Sequence, residues 1–223
     1  MPDYHVKHET VTVGGTDYLI YSLLNLQQYS DPKAKQNSPV FHQSAGRYSG
    51  IYSHRLGFSS WQCIPLNWWG NAYWKSVPAS LWQAWVIHRR AEDMTVREWH
   101  PLSQTFLNEN LLLNKLGPLK CLPGNWEGSN PERVQFDLII GSDVLYERQQ
   151  PSQLAAFIHL YAAPSAQVII VDPNRGNRVG FCREMAGLGY GFTTQRADSF
   201  IENGDPLKGG FLTFKRSLEL EQL

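Results

Sequence analysis

The sequence predicts an α/β protein built on a doubly wound, mostly parallel sheet. In the second half of the chain, short apolar runs that suit buried parallel strands alternate with amphipathic segments of helical period. The last two strand-like runs, GFTTQRADSF and GGFLTFKRS, are separated by the turn ENGDPLKGG and could pair antiparallel. The 223 residues suit one domain of ordinary size, so we expect a single domain over residues 1–223.

The first 35 residues are expected to form a small β-hairpin followed by a helix. HETVTV and TDYLIYSLL flank Gly14-Gly15, which is typical of a tight hairpin turn. LNLQQYSDP is polar and predicts a helix that ends at Asp31-Pro32, since a proline disfavours helix in the residue before it.

Residues 86–223 carry the regular strand–helix alternation. MTVRE predicts a strand, and PLSQTFLNENLLLN predicts a helix whose apolar side is expected to contain Phe106, Leu107, Leu111 and Leu113. RVQFDLIIGSD and QVIIVDPNRG predict two buried strands, with PSQLAAFIHLYAA as the helix between them. RVGFCREMAGLGY predicts a further helix that ends at its glycines.

Residues 36–85 differ in composition from the rest of the chain. No Asp or Glu occurs in the 60 residues from Pro32 to Ala91. Six of the eight tryptophans lie within 25 residues, at positions 61, 68, 69, 74, 82 and 85. No helical or strand period persists here, so we treat this as an aberrant Trp-rich segment.

The overall composition excludes several classes of protein. Lys plus Arg and Asp plus Glu number 20 each, so the net charge is zero and a polybasic nucleic-acid binder is not expected. The chain has no long apolar run and no signal-peptide core at its start, and its three cysteines match neither a disulfide framework nor a zinc site. We therefore expect a cytoplasmic monomer with no bound metal and no membrane or nucleic-acid partner.

Polar residues at the ends of the predicted strands are the candidates for a binding site, because ligands of open α/β sheets bind beyond the carboxyl ends of the strands. Glu98 follows one strand, and an acid there can accept hydrogen bonds from ribose hydroxyls, although a solvated turn carboxylate is the alternative. Asp143 and Tyr146 follow another strand and could line a pocket, or serve as a helix cap and a packing residue. Asn125-Trp126 stands at a third strand end, and Asp172-Pro173-Asn174-Arg175 is read mainly as a turn.

The stretch FDLIIGSDVLYE, followed about 20 residues later by VIIVDPNRG, resembles class I S-adenosylmethionine (SAM)-dependent methyltransferases. Within that class the chain is similar to the group of lysine methyltransferases and bacterial nicotinamide N-methylase-like proteins. HPLSQTFLNENLLLN, GNWEGSNPERVQFDLI and SLLNLQQYSDP fit the same group, and the resemblance covers about residues 15–35 and 86–215. It implies a Rossmann-like, seven-stranded methyltransferase sheet with the N-terminal hairpin attached.

The resemblance also implies roles for individual residues. Glu98 stands where the group has an acid, more often Asp, that holds the cofactor ribose. Asn125 and Trp126 stand where a polar residue and a tryptophan frame the adenine. Asp143 stands at the methionine end of the cofactor, and Asp143 and Tyr146 together stand at the acceptor site.

The glycine-rich motif of this family, expected about 20 residues before Glu98, is missing. The chain reads WGNAYWKSVPASLWQAW there, with Lys75 and Ser76 interrupting the apolar run and Pro78 where the loop should begin. We therefore expect the first strand and its glycine loop to be missing or malformed, residues 36–85 to be poorly ordered, and the chain to have no measurable SAM affinity.

The codons behind this segment suggest a cause. When the gene is read one base earlier, GNAYWKSVPASLWQAW permits the translation GQRVLEIGAGIALASL, in which Tyr73-Trp74 forces Leu, Trp74-Lys75 forces Glu and Trp82-Gln83 forces Ala. The glycines are permitted by the codons and are not forced. We interpret residues 36–85 as translated out of frame between two compensating single-base changes.

The resulting prediction is SAM-dependent methyl transfer to a nitrogen nucleophile, either a protein lysine or a small amine, in a chain that is inactive as it stands if its frame is shifted. Two alternatives stay open. A genuine Trp-rich segment could make a non-catalytic binding module that stacks sugars or bases. A nucleotide-dependent oxidoreductase could use the same fold, although no phosphate-loop motif accompanies it here.

Overall fold

A computed structural model gives the structure of the chain. It describes residues 6–13, 16–23, 71–75, 88, 93–98, 103–123, 126, 134–142, 144–145, 148–172, 174, 176–196, 201–202, 205–206 and 209–216.

The N-terminal residues form the expected hairpin. β1 (Val6–Val13) pairs antiparallel with β2 (Thr16–Leu23), and the pairing runs from Val6 opposite Leu23 to Val13 opposite Thr16. Side chains of β2 alternate, with Tyr18 and Ile20 buried and Leu19 exposed, as a strand with one covered face requires. The helix expected after the hairpin lies outside the described residues.

The other strands build one mixed sheet and a small ribbon. In chain order they are β3 (Asn71–Lys75), β4 (Asp93–Glu98), β5 (Lys120–Pro123), β6 (Phe136–Ser142), β7 (Ala162–Asp172), β8 (Tyr190–Arg196), β9 (Ile201–Glu202), β10 (Asp205–Pro206) and β11 (Gly210–Arg216). The main sheet has the order β5-β4-β3-β6-β7-β11-β8, while β9 pairs with β10. Strands β5, β4, β3, β6 and β7 are parallel, and β11 pairs antiparallel with both β7 and β8. The α/β class is confirmed.

Helices α1 (Ser103–Leu113), α2 (Gln150–Tyr161) and α3 (Arg178–Gly187) connect the strands. The β4–α1–β5 and β6–α2–β7 crossovers run in opposite directions along the sheet, so right-handed connections place α1 and α2 on opposite faces. α2 and α3 pack on one face over a core that includes Phe157, Phe181 and Phe214. Among the helices of the described ranges, none is long and apolar enough to cross a membrane.

The expectation of a missing or malformed first strand was wrong. The structure forms β3 from Asn71–Lys75 and pairs it in parallel with β4 on one side and β6 on the other. The strand ends at Lys75, three residues before Pro78 in the sequence. The rest of residues 36–85, including the expected position of the glycine loop, lies outside the described residues, so the predicted poor order there stays a prediction.

The apolar side expected for α1 is partly corrected. Leu107 and Leu111 are buried, but Leu113 is 37% exposed. The buried surface of the helix instead includes Asn110, which is 3% exposed. A helix turns about 100° per residue, so Leu113 lies about 160° around the axis from Leu111, away from the buried side.

Candidate functional site

The candidate site is the edge of the sheet at which the parallel strands end. β5, β4, β3, β6 and β7 run in the same direction, so the last residues of all five lie on one edge: Pro123, Glu98, Lys75, Ser142 and Asp172. The chain builds β3, β4 and β5 outward in one direction and then returns to place β6 on the other side of β3. The topological switch point of the sheet therefore lies between β3 and β6, where open α/β sheets bind their ligands.

Glu98 ends β4 on one side of this switch point. Lys75 of β3 is in register with Arg97 of β4 and with Gly141 of β6, so Glu98 stands one residue beyond the end of the β3 ladder. Neighbouring strands are about 4.8 Å apart, which puts the backbones of β4 and β6 about 10 Å apart across β3. The backbone thus puts Glu98 at the carboxyl edge, where its predicted role requires it.

Asp143 and Tyr146 lie outside the described residues, but the residues between and before them are described. Ser142 ends β6 and is 5% exposed, while Val144 and Leu145 are 2% and 0% exposed. A Cβ on Gly141 would lie 3.0 Å from both Val144 Cγ2 and Ile170 Cδ1, so the absent side chain makes room for Val144. The segment that carries the two predicted site residues is therefore packed into the core at its middle.

Of the predicted adenine-binding pair, only Trp126 is described. It is half-buried and packs against the hydrophobic core formed by α2, α3 and the strands beneath them. Asn125 lies outside the described residues. Its proposed contact with a cofactor stays a prediction.

Asp172 is more deeply placed than a turn residue would be. It is the last residue of β7, stands in register with Gly210 of β11 and is 0% exposed. Asn174, two residues on, has a φ of 70° and carries the turn that was expected for the whole run. Burial raises the pKa of the nearby Cys182 thiol, the charge of Arg178 acts to lower it and the charge of Asp172 acts to raise it.

Two further observations concern residues outside the predicted site. His88 Nε2 lies 3.2 Å from the Gly117 carbonyl oxygen. In the described ranges, no three His, Cys, Asp or Glu side chains are grouped so that they could hold a metal ion.

One residue near the site was not anticipated. Asn177 Nδ2 donates a hydrogen bond of 3.0 Å to the Leu145 carbonyl, so the start of α3 holds the segment after β6. An asparagine directly before a predicted helix suggests only a cap from sequence. Nothing local could have indicated a partner 32 residues earlier in the chain.

Comparisons with known proteins find similarity in structure only. No protein-family model and no curated protein sequence matches the chain. A ribosomal protein L11 methylase from Lactobacillus delbrueckii subsp. bulgaricus aligns with a TM-score of 0.54 and 15% identity, over 69% of this chain and 72% of that one. An S-adenosylmethionine-dependent methyltransferase from Clostridium acetobutylicum aligns with a TM-score of 0.55 and 8% identity, over 79% and 96%.

A third similar structure is a 16S rRNA methyltransferase from T. thermophilus in complex with AdoMet and guanosine. Its TM-score is 0.62 at 13% identity, over 97% of this chain and 52% of that one. At such identities the comparison shows a common fold and does not show a common substrate. The chain has the class I fold found in these SAM-dependent methyltransferases.

Proposed function

We propose that this chain is a SAM-dependent methyltransferase that acts on a nitrogen atom, that its residues 36–85 are translated out of frame, and that activity requires restoration of that frame. The carboxyl edge of the sheet is the site, with the cofactor across the switch point between β3 and β6. The fold that the chain has in common with SAM-dependent methyltransferases supports this assignment.

The observation that carries the frame hypothesis is the position of β3. The strand occupies Asn71–Lys75. In the alternative frame, the glycines of GQRVLEIGAG fall two and four residues after the end of this strand. The glycine-rich motif of dinucleotide and SAM sites follows the first strand in the sequence, because only glycine allows the backbone to approach a ligand closely there. The position of β3 and the translation that the codons permit therefore agree on where the glycine motif falls.

The residue at the end of β4 suits the ribose of SAM, whereas the residues after β3 do not suit a cofactor loop. A carboxylate at the end of β4 suits a ribose, because it can accept hydrogen bonds from both hydroxyls, and Glu98 occupies that position. The sequence after β3 reads Ser76-Val77-Pro78-Ala79, with no glycine and with no N–H at its proline. The frame-restored chain, in which residues 36–85 are read one base earlier, removes this misfit.

In the frame-restored chain each site residue has a distinct task. SAM, when bound, supplies an activated methyl group on a sulfonium. Glu98 holds the ribose, and Asn125 with Trp126 frames the adenine. Asp143 orients the acceptor nitrogen and offsets the positive charge, while Tyr146 shapes the acceptor pocket. Positioning of the two reactants supplies most of the rate acceleration, and Asp143 or Tyr146 can take up the acceptor proton.

The acceptor is proposed only as a nitrogen nucleophile, on a protein lysine or a small amine. The 16S rRNA methyltransferase among the similar structures acts on RNA by its name, so the fold gives no reason to exclude a nucleic-acid acceptor. The zero net charge of the chain is the remaining argument against an RNA acceptor, since RNA binding generally relies on basic surface.

The comparisons do not favour the two alternative functions. A sugar- or base-stacking module would use the Trp-rich segment, of which the structure describes only Asn71–Lys75. A nucleotide-dependent oxidoreductase would need a dinucleotide loop, and neither the printed sequence nor the translation GQRVLEIGAGIALASL contains Gly-x-Gly-x-x-Gly. Equilibrium binding of SAM, a dinucleotide and an oligosaccharide separates the three functions.

Methyl transfer from labelled SAM tests the proposal. We expect the frame-restored chain to methylate a panel of lysine peptides and small amines, and Asp143→Ala to lower kcat and kcat/KM together while the melting temperature changes little. Tyr146→Phe is expected to alter KM for the acceptor more than SAM binding. Full turnover in Asp143→Ala would show that this residue is not part of the site. A frame-restored chain that folds but neither binds SAM nor transfers a methyl group would refute the proposed function.

A further inference from the structure

Asn177, the residue that precedes α3, uses its side chain in an unusual way. Asparagine is among the preferred N-cap residues because its side-chain oxygen can accept a hydrogen bond from an amide of the first helical turn. Asn177 makes no such cap, and its backbone is helical, with φ of −80° and ψ of −9°, where an N-cap residue is normally extended. Its side chain instead donates through Nδ2 to the Leu145 carbonyl at 3.0 Å.

The carbonyl that Asn177 holds lies in the middle of the candidate acceptor segment. Leu145 stands between Asp143 and Tyr146 in the chain, and its side chain is 0% exposed. Val144 is 2% exposed and fits into the space left by Gly141. Packing therefore holds the side chains of Val144 and Leu145 in the core, and the hydrogen bond holds the Leu145 carbonyl toward Asn177.

The element that supplies the amide is rigidly held. The carbonyl of Asn177 accepts the first helical hydrogen bond from Phe181 N at 3.1 Å. Phe181 and Met185 of α3 are both 0% exposed, and the Phe181 ring packs edge-on against Phe214 of β11 at 5.2 Å between centroids. An amide donor on this helix can therefore hold the Leu145 carbonyl in place.

We propose that Asn177 is a positioning residue that orients the segment from Asp143 to Tyr146 for the methyl acceptor. The inference rests on the proposed function, because it assigns the purpose of the contact to that same site. The hydrogen bond links the segment after β6 to the start of α3, the helix that follows β7.

Asn177→Asp separates positioning from helix stability. Aspartate has the same shape, is a favoured N-cap residue and interacts well with the helix dipole, so α3 should stay folded and the melting temperature should be retained. However, a carboxylate cannot donate to the Leu145 carbonyl and would place negative charge against it. We expect amide hydrogen exchange of the full chain, read on the peptide spanning residues 143–148, to become about tenfold faster.

The same variant gives a second readout in the frame-restored chain. Because the Asn177 side chain bonds the Leu145 carbonyl, we expect kcat to fall about tenfold, by a larger factor than the affinity for SAM. Asn177→Ala, which removes the donor without adding charge, should show the same pattern more weakly. A purely structural role would lower the melting temperature and leave this split absent.

Asn114→Asp is the matched control. Asn114, which follows α1, also donates through its side-chain amide to a backbone carbonyl, that of Leu19, at 2.7 Å. It is attached to the helix on the opposite face of the sheet, so its loss should leave exchange of residues 143–148 unchanged. Unchanged exchange in Asn177→Asp, or equal acceleration in Asn114→Asp, overturns the inference. A frame-restored chain without turnover instead refutes the proposed function. The hydrogen-exchange result still decides whether Asn177 holds the segment.

Discussion

Asn110 of α1 hydrogen bonds to both backbone polar groups of Tyr21 in β2. The Tyr21 N–H donates to Asn110 Oδ1 at 2.7 Å, and Asn110 Nδ2 donates to the Tyr21 carbonyl at 2.9 Å. Asn114, one turn later, makes the same two bonds with Leu19 at 2.8 and 2.7 Å. A helical turn rises about 5.4 Å and two strand residues span about 6.8 Å, so the amides match alternate residues of the strand. They occupy backbone groups of β2 that do not face β1, and so protect this edge from pairing with another chain.

Asn110→Asp should destabilise the protein and loosen the hairpin. The carboxylate cannot donate to the Tyr21 carbonyl, and a buried charge replaces a buried amide, so we expect a loss of about 2–3 kcal/mol in the free energy of unfolding by urea. Asn108→Asp on the same helix is the control, because Asn108 is exposed and its change should stay within about 0.5 kcal/mol. Equal unfolding midpoints for the two variants would show that the paired bonds contribute nothing.

Gly141→Ala should destabilise the sheet, whereas Gly187→Ala should not. A methyl group at Gly141 would lie 3.0 Å from Val144 Cγ2 and Ile170 Cδ1, and both side chains are buried. We expect a cost of about 1–3 kcal/mol in the free energy of unfolding. Nothing lies within 4 Å of a Cβ at Gly187, which ends α3, so alanine there should be neutral or slightly stabilising. A neutral Gly141→Ala would contradict the packing of Val144 described above.

The Cys182 thiol should react slowly with alkylating reagents until the pH is well into the alkaline range. Burial raises its pKa, so the folded chain holds the thiol proton more tightly than the unfolded chain does. The contribution of this proton to stability is therefore complete at neutral pH and is lost as the pH rises through the titration range of the thiol. Mass spectrometry of the alkylated peptide as a function of pH measures the midpoint.

Arg178→Gln should move that midpoint to still higher pH, because the charge of Arg178 acts to lower the pKa of Cys182. Arg183→Gln is the control, since Arg183 is exposed on the same helix and is not among the groups that shift this thiol. A midpoint that moves down in Arg178→Gln, or moves equally in both variants, would contradict the assigned cause.

The gene should carry the two base changes that the frame hypothesis requires. We expect resequencing to find an inserted or missing base near codon 36 and a compensating one near codon 85. The codons between them should read as the family-like translation, with glycine codons after the β3 position. An unbroken frame whose codons are incompatible with glycine there would refute the hypothesis, and the Trp-rich segment would then be a genuine feature of the chain.

Periodicity predicted much of the fold because most elements in residues 86–223 are amphipathic or continuously apolar. The run at Phe136–Ser142 and the last five residues of Ala162–Asp172 have the burial expected of strands covered on both faces. β3 was expected to be missing or malformed because Lys75 and Ser76 interrupt the apolar run there. The structure resolves this by ending the strand at that residue, which a sequence pattern alone does not reveal.

The sequence could indicate site residues only where they lie at the ends of predicted strands. Glu98 was chosen because it ends the strand-like run MTVRE, and the backbone places it at the carboxyl edge, while its contact with a cofactor stays a prediction. Asp172 was read as part of a turn, yet it is fully buried at the end of β7. The sequence could not reveal this, because only the tertiary fold shows which strand end is covered. The long-range bonds of Asn110 and Asn177 join residues 89 and 32 positions apart and have no local signature.

Calorimetric titration with SAM tests the central claim most directly. It compares the frame-restored chain, the present chain and the frame-restored chain with Glu98→Gln. We predict saturable binding by the first, none by the second, and an affinity about tenfold weaker in the third because Glu98 loses a charged hydrogen bond to the ribose. Binding by the present chain as tight as that of the restored chain, or no binding by a folded restored chain, would contradict the account.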